Sequence, residues 1–425
     1  MTKVYSFPRG GILFEDPTVP QRGDAVVAFL PGLAVIPLIQ HSGKRAYPVV
    51  SVGDYVKEGM VIGRGQGFES ANIHATVPGK VVRMTSWKTG GSVNDALVIR
   101  MEGSFERLGK REEIFPWESL TSYDLQRIIS EYGIVEMEGA GRPVFDILSS
   151  LKSADTPLTL VVRCVFDDPW LAADYVLCRE RLKAVVEGAF ITGRAGRVSR
   201  IVFAVSHGER DLGEAFLAET GKWDIPASLA LVGSRYPQRN RRELELVLRN
   251  YEKKEGLSLG SLMILGPATL AAVHDAVKLK KPILDRYVAV GGSAVRNPRI
   301  MKVRIGKRLG DVFAECGGFI DTPKRIAAGS PLLGREVTDL NEPVVKTSYA
   351  VFAVLKGQEG AAAERNCISC GECRAVCPVG LDPEELYKRK LKSLSQAAEE
   401  PGSDCHGCGC CEVGGPSGLP LARMI

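Results

Sequence analysis

The stretch from Thr156 to Thr192, TPLTLVVRCVFDDPWLAADYVLCRERLKAVVEGAFIT, decides the fold of the central third of this chain. Its opening, TPLTLVVRCVF, is a short apolar run rich in β-branched side chains, suited to a strand covered on both faces. From Ala172 onward, AADYVLCRERLKAVVEGAFIT places its apolar residues at helical spacing. Two further buried runs follow, RIVFAVS at 200–206 and ASLALVGS at 227–234. Strands alternating with helices predict an α/β layer with a mainly parallel sheet over residues 121–280. Ligands of such sheets sit at the carboxyl ends of strands, so a site is expected in the loops after Val165 and Val232.

Upstream, residues 1–120 have a different texture. VVSVGDYVKEGMVIGRGQGFESANIHATVPGKVV, Val49 to Val82, breaks short β-branched runs with Gly53, Gly59, Gly63 and Gly79, which suggests a small barrel or sandwich. The V-G-D-x-V-x-x-G pattern followed by P-G-K-V is similar to the hammerhead fold of biotinyl and lipoyl domains, a barrel-sandwich hybrid. FESANIHA stands where a carrier domain would present its lysine, so a structural or docking role is expected. Downstream, residues 281–330 contain a strand, a G-G turn, a strand and the helix LGDVFAECGG, a compact β-grasp unit similar to SLBB domains. A strand-rich return toward the barrel or a linker is expected over 331–357, ahead of a cysteine-rich end at 358–425. There GQEGAAAERN leads in, and the helix-forming DPEELYKRKLKSLSQAAEEPGSD separates two cysteine clusters.

Bulk properties narrow the function. The 425 residues are 25% charged and 45% hydrophobic, an ordinary globular composition with room for several domains. A net charge of +5 without basic runs gives no nucleic-acid signature. The start, MTKVYSFPRGG, has no signal-peptide stretch. The longest uncharged run, Ala25 to Gly43, is broken by Pro31 and Pro37 and is no membrane span. A cytosolic protein is expected, with any membrane link made through a partner.

Eight of the eleven cysteines fall between Cys367 and Cys411, which in a reducing compartment indicates metal binding. Cys164, Cys178 and Cys316 lie in apolar surroundings and are expected to be packing residues. The five histidines, His41, His74, His207, His274 and His406, show no ligand spacing. CISCGECRAVCP carries Cys367, Cys370, Cys373 and Cys377 as C-x2-C-x2-C-x3-C-P. Soft thiolates at this spacing wrap an iron–sulfur cubane, whereas zinc needs only paired C-x2-C units. A second run, CHGCGCCEVGGPSG, keeps the beat at Cys405, Cys408 and Cys411 but has Gly415 where a fourth cysteine is due. In two-cluster ferredoxin modules the fourth cysteine ligates the other motif's cluster. Cys377 is therefore expected to complete Cys405, Cys408 and Cys411 as one 4Fe–4S site, leaving Cys367, Cys370 and Cys373 one ligand short. That second set would hold a 3Fe–4S cluster or a cubane with water or another side chain on its fourth iron. A swing of Cys410 into the gap and an empty site are the remaining outcomes.

Taken together, the order of parts resembles the C subunit of the Rnf complex, the ion-translocating NAD:ferredoxin oxidoreductase of bacterial membranes. The motifs carrying the resemblance are GGILFEDP, VIPLIQHSGKRAYPVVSVGDYVKEGMVIG, the YPQ at Tyr236 to Gln238, GGSAVRNPRIMKVRIGKRLGDVFAECGGF, PVVKTSYAVFAV and the paired cysteine runs. The central part is also similar to the NADH-binding flavoprotein subunit of respiratory complex I. The resemblance implies a multidomain chain: barrel-sandwich hybrid, α/β domain, SLBB-like module and a helical dicluster ferredoxin domain. It implies a peripheral subunit on the cytoplasmic face of the membrane that passes electrons between NADH or ferredoxin and membrane subunits, using FMN and two 4Fe–4S clusters. The family's Gly-rich flavin loop corresponds to MEGAGRP, Met137 to Pro143, so Gly139, Ala140 and Gly141 would face the FMN phosphate, with Glu138 adding negative charge there. The family's E-C-E-P segment corresponds to VFDDPW, which offers Asp167 and Asp168 either as catalytic carboxylates or as an acidic loop opening the next helix. These departures count against direct NADH oxidation. Two other readings stay open: a soluble flavin and iron–sulfur reductase similar to cobalamin reductase, and a scaffold or assembly subunit with vestigial cofactor sites.

Overall fold

The computed structural model describes residues 3–89, 92–105, 116–151, 156–330, 332, 334–356, 365–393 and 404–424. Four parallel strands form the central sheet, in the spatial order Ala227–Val232, Arg200–Ser206, Leu158–Cys164, Ser261–Leu265. Alternation along the strands gives each face its own core. Leu160, Val162, Ile201 and Phe203 pack with the helices Leu182–Gly196 and Pro267–Lys278. Val161, Val202 and Ala230 pack with Leu244, Val247 and Leu248 of the helix Arg241–Glu255. The strand order reverses beside Leu158–Cys164, and that reversal opens a crevice at the carboxyl ends.

One difference from the sequence pattern concerns the helix after Ala172. Two helices are present, Ala172–Glu180 and Leu182–Gly196, because Arg181 leaves helical geometry at φ −125° and ψ 31°. The break delivers its guanidinium to Asp275 in Pro267–Lys278, through bonds of 2.9 and 2.6 Å. Gly188 lets the second helix approach closely: a Cβ there would fall 1.9 Å from the Leu270 carbonyl oxygen.

The barrel-sandwich hybrid has a four-stranded sheet (Leu33–Pro37, Ser92–Met101, Gly79–Thr89, Tyr55–Val56) facing a three-stranded one (Tyr47–Pro48, Val61–Arg64, Ile73–His74). Ahead of it the chain is a thread. Tyr5 bridges Val232 at the edge of the central sheet, and Val26–Val27 pairs in parallel with Met301–Lys302. That pairing puts Val26–Val27 on the edge of a six-stranded sheet with Arg299–Arg304, Asp285–Gly291, Ala350–Val354, Arg325–Ala328 and Arg335–Glu336. The helix Leu309–Glu315 covers it, a β-grasp arrangement. The strand Ala350–Val354, from the stretch expected to return toward the barrel, lies inside this sheet.

FESANIHA is a joint. Lys346, buried, donates from Nζ to the carbonyls of Asn72 in the barrel and Gly133 after the helix Ser122–Glu131, at 2.9 and 2.8 Å. The cysteine region contributes the helices Glu372–Ala375, Pro383–Ser393, Cys410–Gly414 and Leu421–Met424. The expected helix over 382–404 is described as far as Ser393; 394–403, like 357–364 of the lead-in, lies outside the described residues. Among the described residues no helix is long and apolar enough to cross a membrane.

Candidate functional site

The two cysteine runs fold alike. Ser369 (φ 53°) and Gly407 (φ 60°) occupy equivalent left-handed positions, as do Gly371 (φ 78°) and Gly409 (φ 79°). Each first left-handed residue turns its N–H back to the preceding sulfur: Ser369 N donates to Cys367 Sγ at 3.4 Å and Gly407 N to Cys405 Sγ at 3.3 Å. Each second one starts the short helix that carries the third cysteine. The likeness continues through Cys377-Pro378 and Gly415-Pro416 to the turns Gly380 N to Cys377 O and Gly418 N to Gly415 O.

Two cavities result. One is lined by Cys367, Cys370 and Cys373 with Glu384, Cys411, Gly415 and Ser417. The other is lined by Cys377, Cys405, Cys408 and Cys411, with Cys410 and His406 at its wall. Cys377 thus leaves its own run and joins the other, where Leu381 N donates to its sulfur at 3.3 Å. Gly415 reaches the first cavity without a donor side chain. Among the described residues no three His, Cys, Asp or Glu groups come close enough to hold a single metal ion. Rings of thiols with backbone N–H groups aimed at sulfur fit a polynuclear iron–sulfur cluster.

The two cavities differ in surroundings. Cys367 and Cys370 are exposed, whereas Cys377 and Cys411 are buried and Cys410 is fully enclosed. A hydrogen bond with Cys410 holds the Cys408 thiol down at about 7, and burial pushes Cys411 up to about 12. The second cavity faces the loop after Val232: Tyr236 donates its hydroxyl to the Cys408 carbonyl at 2.7 Å, and Cys410 Sγ lies 3.9 Å from the Tyr236 carbonyl. The thread closes the other side, with Gly11 N bonded to Val376 O at 2.9 Å. Gly10 leaves no room for a Cβ, which would fall 2.5 Å from the Cys377 carbonyl oxygen.

The crevice of the central sheet holds the other expected residues. Asp167 and Asp168 are buried. Asp168 accepts from Trp170 N at 3.0 Å and caps the turn Pro169–Leu171, while Asp167 accepts from Arg239 N at 2.8 Å, tying the loops after Val165 and Val232 together. Burial pushes Asp167 up to about 7. Of the Gly-rich run, Ala140 borders a cleft of the barrel and β-grasp sheet, and Gly141 packs on His41 and Thr347. A Cβ on Gly139 would fall 2.6 Å from the Glu136 carboxyl. Glu138 points into the crevice, where its carboxylate accepts from Thr269 N at 3.0 Å and from the Thr269 hydroxyl. Around it lie Arg163, 3.7 Å from Glu136, Arg239, 3.7 Å from Asp174, and the enclosed Arg286, whose Nε donates to Ser348 O. Sequence reasoning missed Thr269, these arginines, the Tyr236 contact and Cys410's place in the wall; YPQ marked Tyr236 as part of the family resemblance and nothing more.

Known proteins supply a context for this geometry. Family models match at residues 8–104 (RnfC barrel sandwich hybrid domain), 129–274 (Nuo51 FMN-binding domain) and 287–336 (SLBB domain). The chain is 31% identical over 401 residues to the C subunit of the proton-translocating ferredoxin:NAD(+) oxidoreductase complex of Clostridium ljungdahlii, covering 92% of this chain and 86% of that one. It is 30% identical to the C subunit of the ion-translocating oxidoreductase complex of Rhodobacter capsulatus, covering 85% and 70%. A crystal structure of an NAD+-reducing [NiFe]-hydrogenase aligns with TM-score 0.52 at 14% identity, covering 75% of this chain and 66% of that one, a likeness of fold.

Proposed function

The chain belongs to the family of C subunits of ion-translocating oxidoreductase (Rnf) complexes, and from that premise we propose a peripheral electron-transfer subunit that works through iron–sulfur clusters. Its partners in this reading are the membrane subunits of such a complex, met at the cytoplasmic face, and its electrons pass between NADH or ferredoxin and those subunits. The convergence of Cys377 with Cys405, Cys408 and Cys411 around one cavity carries the reading. A bound cluster supplies a one-electron carrier; the chain's part is to hold and tune it. Four thiolates fix the inner site, N–H groups of Gly407 and Leu381 offset charge on the sulfurs, and Tyr236 with Gly10 and Gly11 keeps water away. Cys367, Cys370 and Cys373 form an outer three-thiol site whose first two residues are exposed, the side from which a partner protein would exchange electrons.

Anaerobic iron and sulfide counting with low-temperature EPR tests this. About eight irons mean two cubanes, about seven a 3Fe–4S plus a cubane, and about four one cluster. Cys377→Ala is expected to remove the signal of the inner site and leave the outer one; unchanged iron and spectra in that variant would sink the assignment. Gly415→Cys is expected to convert the outer site to a stable cubane, read as a gain in iron and a changed EPR signature.

A further inference from the structure

The crevice between Leu158–Cys164 and Ser261–Leu265 is where a sheet of this topology takes its ligand, and the N-terminus of Pro267–Lys278 opens into it. Free N–H groups there attract an anion, and a flavin-binding model matches this part of the chain. The position is already filled. Glu138, only 9% exposed, accepts from both the backbone N–H and the hydroxyl of Thr269 in the first turn, and its carboxyl carbon lies so near Gly266 that a Cβ there would meet it at 2.3 Å. Glu136 fills the space beside Gly139, where a phosphate-binding loop needs its backbone bare. The residues present do not fit a flavin phosphate.

We propose that the Glu138 carboxylate is an internal ligand of this anion seat, standing in for a phosphate monoester and excluding FMN from the α/β domain. Both carry negative charge and accept from the same donors, so the two cannot share the helix end. Of the surrounding arginines, Arg163 faces Glu136 and Arg239 faces Asp174, while the terminal nitrogens of Arg286 have no hydrogen-bond partner among the described residues and are left to the Glu138 and Asp174 charges. Truncating Glu138 frees the Thr269 donors and removes the repelling charge, leaving a vacant site for phosphate monoesters.

Titration of FMN into the full-length, cluster-loaded protein, followed by quenching of flavin fluorescence, tests the proposal. The unmutated protein and Glu138→Gln, which keeps the seat filled, are expected to leave FMN free. Glu138→Ala is expected to bind FMN about tenfold to a hundredfold more tightly than the unmutated protein, the worth of charge-assisted hydrogen bonds regained, with inorganic phosphate competing. Stoichiometric tight binding of FMN by the unmutated protein overturns the proposal whatever the variants do. So does a Glu138→Ala protein with unaltered melting and iron content whose FMN affinity is no higher. Iron and sulfide counts report on the cluster reading separately, so failure of one is not mistaken for failure of the other.

Discussion

Gly415 has ordinary extended backbone (φ −85°, ψ 120°), and a Cβ on it would meet only the Cys411 carbonyl oxygen, at 3.1 Å. Restoring a side chain there therefore asks the Cys411 carbonyl to give by only a few tenths of an ångström, which is why the substitution is a fair test. Asp275 shows a second decisive side chain. Burial works against its carboxylate, yet hydrogen bonds from His274 and Arg181 outweigh that and hold its pKa well below the usual range. A depressed carboxylate contributes stability that is fully present above its unfolded value, about 3.9, and is lost as pH falls toward the folded one. His274 is shifted the other way: burial lowers its pKa, but bonds to Asp275 and Glu187 raise it overall. Its contribution is fully present below about pH 6.5 and fades as pH rises through the folded value. Asp275→Asn is expected to destabilise the fold by about 3 kcal/mol near neutrality, because it strands Arg181. Chemical denaturation across pH should show that difference shrinking below about pH 4.

At the level of elements, the sequence was most legible where causes are local. Thiol spacing, left-handed turn residues and buried strand runs act over a few residues, and the central strands stand where the pattern puts them. The break at Arg181 was hidden because the apolar period of Ala172–Thr192 runs through it unbroken, while its cause, Asp275, is distant in sequence. Glu138 was visible as a charge in a glycine loop, but its partner Thr269 is 131 positions away. Asp168 illustrates the ambiguity of an acidic pair: the structure gives it a capping bond to Trp170 N, a role the sequence allowed alongside catalysis. Tyr236→Phe removes the hydroxyl that ties the strand-end loop to the inner cysteine run. A loss of about 1 kcal/mol in stability is expected, with a shifted inner-cluster reduction potential as the readout in a redox titration.

Across the whole molecule, Lys346 is the bolt where barrel, α/β layer and β-grasp sheet meet. Its two carbonyl partners belong to different units, so Lys346→Met would leave the buried Gly133 O and the part-buried Asn72 O without this donor. A destabilisation of about 2–4 kcal/mol is expected, measured as a lower midpoint in urea. An unchanged midpoint would mean that water reaches the joint. The N-terminal thread is the other device on this scale, and it has a consequence for biogenesis. Arg9 donates to the carbonyl of Val379, 370 positions further along. At about 5–20 residues per second, a nascent thread waits about 20–70 s for the segment it must grip. The wall that Gly10 and Gly11 lend to the inner cysteine cavity therefore forms only when the earliest-made residues fold back on late-made ones, so a cluster of the proposed kind would have a window for assembly before that closure.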